Sequence, residues 1–432
     1  MIVLAHGVGG RSDLPAPLTL TLLGAGTAVL FSFLALRVLW LTPRLQGTSG
    51  QALPARVTAL LDAPATRTTA QALTLTLAAF VTGVALAGPP GANRNIAPWV
   101  LYVSFWVGLV PASLLLGPVW RYVNPLRLVH RLLARVTGPP PVAGVPVRLG
   151  YWPAAAGLLV FVWLELVYPG RADPGVVGIF LVVYAAVQLV AALWCGQEWF
   201  ARGDAFEVYS TLLGRLSPLG RDESGRLVVR NPLRGPANLA ETPGLVAVAV
   251  VLVGSTAFDG LSRTRFWTEG PGVANDTTSG TVGLLFMITL VGTLYLLATE
   301  VPSLGRRSST RWSTAFAHTL LPIAVGYAVA HYFSLFLLDG QTTWILASNP
   351  LGADGVDLFG TYGNAIDYTL VSTSAIALVQ VGAIVVGHVF GVVLAHDRAL
   401  QLMPEGATAL QLPLVMTMVV FTVGGLALLF SV

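Results

Sequence analysis

The chain has 432 residues, of which 55% are hydrophobic and only 10% charged, with a formal net charge of +4 and a mean hydropathy of +0.74. A soluble globular domain carries about 25% charged residues, so this composition excludes a soluble enzyme and predicts an integral membrane protein. The single cysteine excludes an intrachain disulfide, CxxC metal or redox motifs and an iron–sulfur cluster.

A run of roughly 20 apolar residues spans a bilayer as a helix. Ten such runs occur, near 17–41, 70–88, 96–117, 150–168, 176–200, 244–260, 280–303, 313–338, 369–393 and 410–431. The expected fold is an all-α polytopic bundle of about ten transmembrane helices. In lipid the backbone must satisfy its own hydrogen bonds, and these runs are too long and evenly apolar for barrel strands. Four regions follow: an external segment 1–16, helices one to five over 17–201, a cytoplasmic loop 202–243, and helices six to ten over 244–432.

The amino terminus reads MIVLAHGVGGRSDLPAP. Val3-Leu4-Ala5 resembles the end of a signal peptide. With a start further upstream, cleavage would leave His6 as an amino-terminal histidine able to bind copper through amine and imidazole. The alternative is an external Gly-rich turn.

All 24 basic residues are arginine. Placing the N-terminus outside leaves only Arg11, Arg94, Arg171, Arg263 and Arg265 in outer loops. Positive-inside bias then puts both termini outside, and the positive charge reads as contact with an anionic inner leaflet, not with nucleic acid. Without lysine there is no P-loop, and GxSxG, HExxH and GxGxxG are missing too, so no nucleotide is expected. The all-Arg, Ala/Gly/Val-rich composition suggests a GC-rich bacterial genome and therefore the bacterial plasma (inner) membrane.

In the second inner loop Asn124-Pro125 suits a helix start, and Leu126, Val129, Leu132, Leu133 and Val136 line one face. Arg127, Arg131 and Arg135 recur every four residues, predicting an interfacial helix with its basic stripe on lipid phosphates. Asn231 to Arg234 repeat the same tetrapeptide. In the loop 202–243, Phe206, Tyr209, Leu212, Leu213 and Leu216 predict another amphipathic helix, and Asp222-Glu223-Ser224-Gly225 a turn entering a short strand. Gly254 to Trp267 and Ser348 to Gly360 are expected as outer loops forming a lid or vestibule.

Four of the six histidines fall in two neighbouring apolar runs, and an ionisable residue inside a membrane is a functional-site hypothesis by default. His318 and His388 lie near the inner ends of antiparallel helices, at similar depth to Glu300 and Glu198. Two imidazoles with carboxylates suffice for a divalent metal, zinc or copper, or for a proton relay. Gly387 and Gly391 form a GxxxG pattern flanking His388, and Pro322 is placed to kink the helix beyond His318. His331 sits about 20 Å further along, in an outer layer with Tyr332, Ser334, Gln380, Glu165, Asp259 and Asp339, suited to a vestibule. The alternative is that these histidines only fix helix packing.

AHGVGGRSDLP at 5–15, GDAFEVY at 203–209, RLSPLG at 215–220, GSTAFDGLSR at 254–263, NPLGADGVDLFG at 349–360 and VLAHDRAL at 393–400 together resemble the polytopic bacterial proteins known as fenitrothion hydrolase or fenitrothion hydrolase-like. The resemblance spans most of the chain and implies a membrane hydrolase of organophosphate-like or other small esters. Phosphotriester hydrolysis usually uses a metal-bound hydroxide. Two other classes stay open on the residues alone: a secondary transporter or channel for a small solute, metal or proton using the same His and acid residues, and a non-catalytic subunit serving a membrane or soluble partner.

Overall fold

A computed structural model describes residues 14, 16–142, 144–274, 276–303, 311–403 and 407–430; His6, the expected copper ligand, lies outside them. The main helices are α1 (Leu18–Leu39), α2 (Pro64–Ala87), α3 (Ala97–Leu116), α4 (Pro125–Thr137), α5 (Trp152–Leu166), α6 (Pro174–Cys195), α7 (Ala205–Leu213), α8 (Leu245–Leu261), α9 (Thr277–Glu300), α10 (Trp312–Ala347), α11 (Thr373–Leu402) and α12 (Ala407–Phe430). Eight of them, all but α4, α5, α7 and α8, are long and apolar enough to cross a membrane.

The runs expected at 150–168 and 244–260 form the shorter apolar helices α5 and α8, of 15 and 17 residues. Thirteen residues of α8 are buried, and it packs against α5, α9 and α10. A helix apolar on every side belongs in a core. This one is the hub of the bundle. The stretch from Gly254 that reads as an outer loop is helical up to Leu261, so its acid, Asp259, points from a helix into the core at 3% exposure.

Helices α10 and α11 form the most extensive pair. Their antiparallel contact depends on glycine: a Cβ on Gly387 would lie 2.6 Å from the Pro322 carbonyl oxygen, and one on Gly326 would lie 2.5 Å from that of Ala383. The GxxxG expectation holds, because removing side chains lets backbones approach. The helical path breaks into a 3₁₀ turn at Ala317–Thr319, ahead of Pro322, and widens to π-type hydrogen bonding at Leu335–Asp339. Helix α1 packs on α11 and α12. His396 and Asp397 clamp its end, with His396 Nε2 2.9 Å from the Trp40 carbonyl and Asp397 Oδ1 accepting from Trp40 Nε1 and the Arg44 amide.

Three short strands, β1 (Gln51–Ala52), β2 (Leu219–Arg221) and β3 (Leu227–Val229), form an antiparallel sheet in the order β1-β3-β2. The strand expected after Asp222–Gly225 is β3. Its pairing with β1, Gln51 opposite Val229, ties the loop 202–243 to the segment after α1.

Candidate functional site

The four residues expected to gather around a metal stand apart. His318 is buried in the 3₁₀ turn, where its ring faces the backbone carbonyls of Ala315 and Leu394. His388 is fully buried on α11; its Nδ1 lies 2.8 Å from the Ile384 carbonyl oxygen and its ring 6.0 Å from that of Tyr327. Glu300 accepts the Ser313 amide at 2.8 Å, capping the start of α10. Glu198 is exposed on a turn after α6. Among the described residues no three His, Cys, Asp or Glu side chains are grouped so as to hold a metal ion. Local backbone partners explain the dispersal: a buried polar group takes the nearest available hydrogen bond, and at His318, His388 and Glu300 that is its own or the adjoining helix.

The outer layer does converge. Asp259 leaves the last turn of α8 and meets His331 of α10, with Nε2 2.6 Å from Oδ2; both side chains are 4% exposed. Arg263, one turn after Asp259, folds back so that Nε and Nη2 each lie 3.3 Å from Oδ1. The carboxylate therefore has an imidazole on one oxygen and a guanidinium on the other. Glu165 of α5 is buried within the electrostatic reach of Asp259 and Arg171, and its Oε2 has no hydrogen-bond partner. Asp339 is half-buried, eight residues or about 12 Å along the helix from His331, and does not join the pair.

Two cavities of about 10 Å³ flank α10 at this level. Tyr327, His331, Thr256, Ile384 and Gly425 help line one; Tyr332, Tyr209, Trp106, Ser255 and Thr256 help line the other. Each has room for a single water. Tyr327 and His331 are one helical turn apart and so share a face. Further along the pair, both amide atoms of fully buried Gln380 and Nε2 of His388 are unpartnered. A buried polar atom without a partner calls for a physical explanation.

A second polar cluster was not expected from the sequence. Helix α7, expected as an amphipathic helix, is buried on every face, including Glu207 and Ser210. Asp204 caps it, Oδ1 accepting the amides of Phe206 and Glu207 and the Tyr184 hydroxyl at 2.8 Å, while Oδ2 accepts Asn124 Nδ2 at 2.9 Å. Asn124 also donates to Glu207, and Arg127 grips Glu207 through Nε at 2.8 Å and Nη2 at 2.5 Å. Burial, and after it the Glu207 charge, pushes the Asp204 carboxyl up to about 6. An acid followed three residues later by Glu is a helix-start signal, and it was the clue available in GDAFEVY.

This network corrects the lipid-phosphate stripe. Arg127 turns inward because buried Glu207, whose side chain is fully enclosed, requires a countercharge. Arg131 donates to Gln71 at 2.6 Å, and of the three only Arg135 is exposed. Leu132, Leu133 and Val136 of α4 turn outward as well, at 48%, 38% and 87% exposure.

No family model, curated protein or solved structure matches this chain.

Proposed function

We propose that this chain is a proton-translocating protein of the bacterial plasma membrane, crossing it ten times with both ends outside, in which the His331–Asp259 pair carries the proton. The observation that supports this is the 2.6 Å contact between two enclosed titratable groups on different helices, beside cavities of single-water size. Such pairs inside membranes characterise proton relays.

In this reading the imidazole takes a proton at Nδ1 and holds Nε2–H on Asp259, while Arg263 occupies that carboxylate's other oxygen. Loss of the proton returns His331 to its neutral form without moving the pair. Glu165, in the same layer, is the second acid through which a proton enters. Hydrolysis of an ester, which the family resemblance implies, could use the same carboxylate-oriented histidine as a base. It would need room for an aryl phosphate, and the spaces beside His331 and Tyr332 have the volume of one water.

The test is reconstitution into liposomes holding a pH-sensitive dye, with a potassium diffusion potential as the driving force. Wild type is expected to acidify or alkalise the lumen at least about tenfold faster than His331→Ala or Asp259→Asn. Wild-type flux no greater than that of protein-free liposomes would overturn the proposal.

A further inference from the structure

One corner of the molecule gathers positive charge with no negative partner among the described residues. Arg215 follows α7 in the turn Gly214–Leu216, and Arg230 follows β3. Arg230 is only 9% exposed. Its Nη2 donates to the Arg215 carbonyl oxygen at 3.4 Å, and its Nε is buried with no partner.

The backbone around this guanidinium is cut to fit it. A Cβ on Gly220 would lie 2.4 Å from Arg230 Cζ; one on Gly235 would lie 2.7 Å from Arg230 Nη2 and 1.9 Å from the Arg215 carbonyl oxygen. The two glycines sit in the stretches RLSPLG and NPLRG. Arg121 is a further positive charge bearing on Arg215, and Tyr151, which also bears on it, carries the Arg202 guanidinium over its ring at 5.4 Å.

Among the described residues the ion pairs are Arg127–Glu207, Arg221–Asp62, Arg226–Asp222, Arg263–Asp259 and His331–Asp259. None involves Arg121, Arg202, Arg215 or Arg230. Burial works first against the charge on Arg215 and on Arg230, and repulsion from Arg121 and from Arg215 respectively adds to it. Buried charges in proteins are paired, and a guanidinium presents a planar fork of donors matched to phosphate oxygens.

We propose that Arg215 and Arg230, joined by Arg121, form a binding site for a phosphate-type oxyanion. The glycine cradle holds the Arg230 plane fixed, so less side-chain freedom is lost on binding. The anion is either the headgroup of an acidic phospholipid or free phosphate; both supply the oxygens that the forks require. The inference is independent of proton movement through His331.

Wild-type protein in neutral detergent is heated in inorganic phosphate or in chloride of equal ionic strength, and separately in nanodiscs of phosphatidylglycerol or of phosphatidylcholine. Phosphate or phosphatidylglycerol is expected to raise the unfolding midpoint by at least about 2 °C over its control. A shift in the phosphate arm identifies free anion, and one confined to the nanodisc arm identifies a lipid headgroup. Arg215→Gln and Arg230→Gln are expected to lose the shift, and Arg135→Gln, at an exposed position of α4, to keep it. The wild-type arms decide the question even if a variant fails to fold. No shift in either arm, or a full shift retained in folded Arg215→Gln, overturns the site.

Discussion

His331 Nε2 stands 2.6 Å from Asp259 Oδ2, joining α10 to α8 inside the bundle, 72 positions apart in the chain. Asp259 holds two partners, since Arg263 approaches its other oxygen. Removing the acid therefore takes a carboxylate acceptor from both the Arg263 guanidinium and the enclosed imidazole. Asp259→Ala is expected to destabilise by about 3–5 kcal/mol, and His331→Gln by about 1–3 kcal/mol. Thermal unfolding in detergent ranks them; equal losses would mean that Arg263 draws no stability from Asp259.

The α10–α11 contact should tolerate no side chain at its tightest point. A Cβ at Gly387 meets the backbone oxygen of Pro322, which cannot swing aside, while one at Gly382 meets nothing within 4 Å. Gly387→Ala is expected to cost about 1–3 kcal/mol. Gly382→Ala should be neutral or stabilising, since alanine favours helix by about 1 kcal/mol. The same unfolding assay checks both.

The three arginines of α4 should behave differently despite their regular spacing. Arg127→Ala strands the enclosed Glu207 carboxylate and is expected to cost about 3–5 kcal/mol. Arg135→Ala, at an exposed position, should stay within about 0.5 kcal/mol. A similar loss at both sites would restore the stripe as a unit.

Asp204 gives a pH dependence of definite sign. Its carboxyl is raised by burial from 3.8 to about 6, so between these values the folded protein holds a proton that the unfolded chain has released. Its contribution to stability is fully present below about 4 and is lost as pH rises through about 6. The unfolding midpoint of wild type minus that of Asp204→Asn, which cannot titrate, should therefore fall between pH 4.5 and 6.5. A difference that rises over this range would show that the capping amides and Tyr184 outweigh burial.

Apolar run length placed every main helix except α4 and α7, because a segment in lipid has no other way to satisfy its backbone. It also put His331 and Asp259 in one layer, since position along a helix converts to depth at 1.5 Å per residue. The same rule put His318 and His388 at similar depth, yet each ring turned to a backbone carbonyl near it. Depth follows from spacing along one helix; direction around the axis depends on what the neighbouring helices present.

What the sequence determined by itself is the membrane class, the helical segments, the glycine-mediated approach of α10 and α11, and the layer of the outer acids. Only the tertiary structure decided that α8 is the hub, that α7 lies inside the bundle, that Arg127 serves Glu207 instead of lipid, and that Asp259 pairs with His331 while Asp339 does not. The physical reason is that hydrophobic burial is non-directional and legible as composition. A buried charge is satisfied only by a partner within hydrogen-bond reach, and for Asp259 and Glu207 that partner is about 70–80 residues distant in the chain.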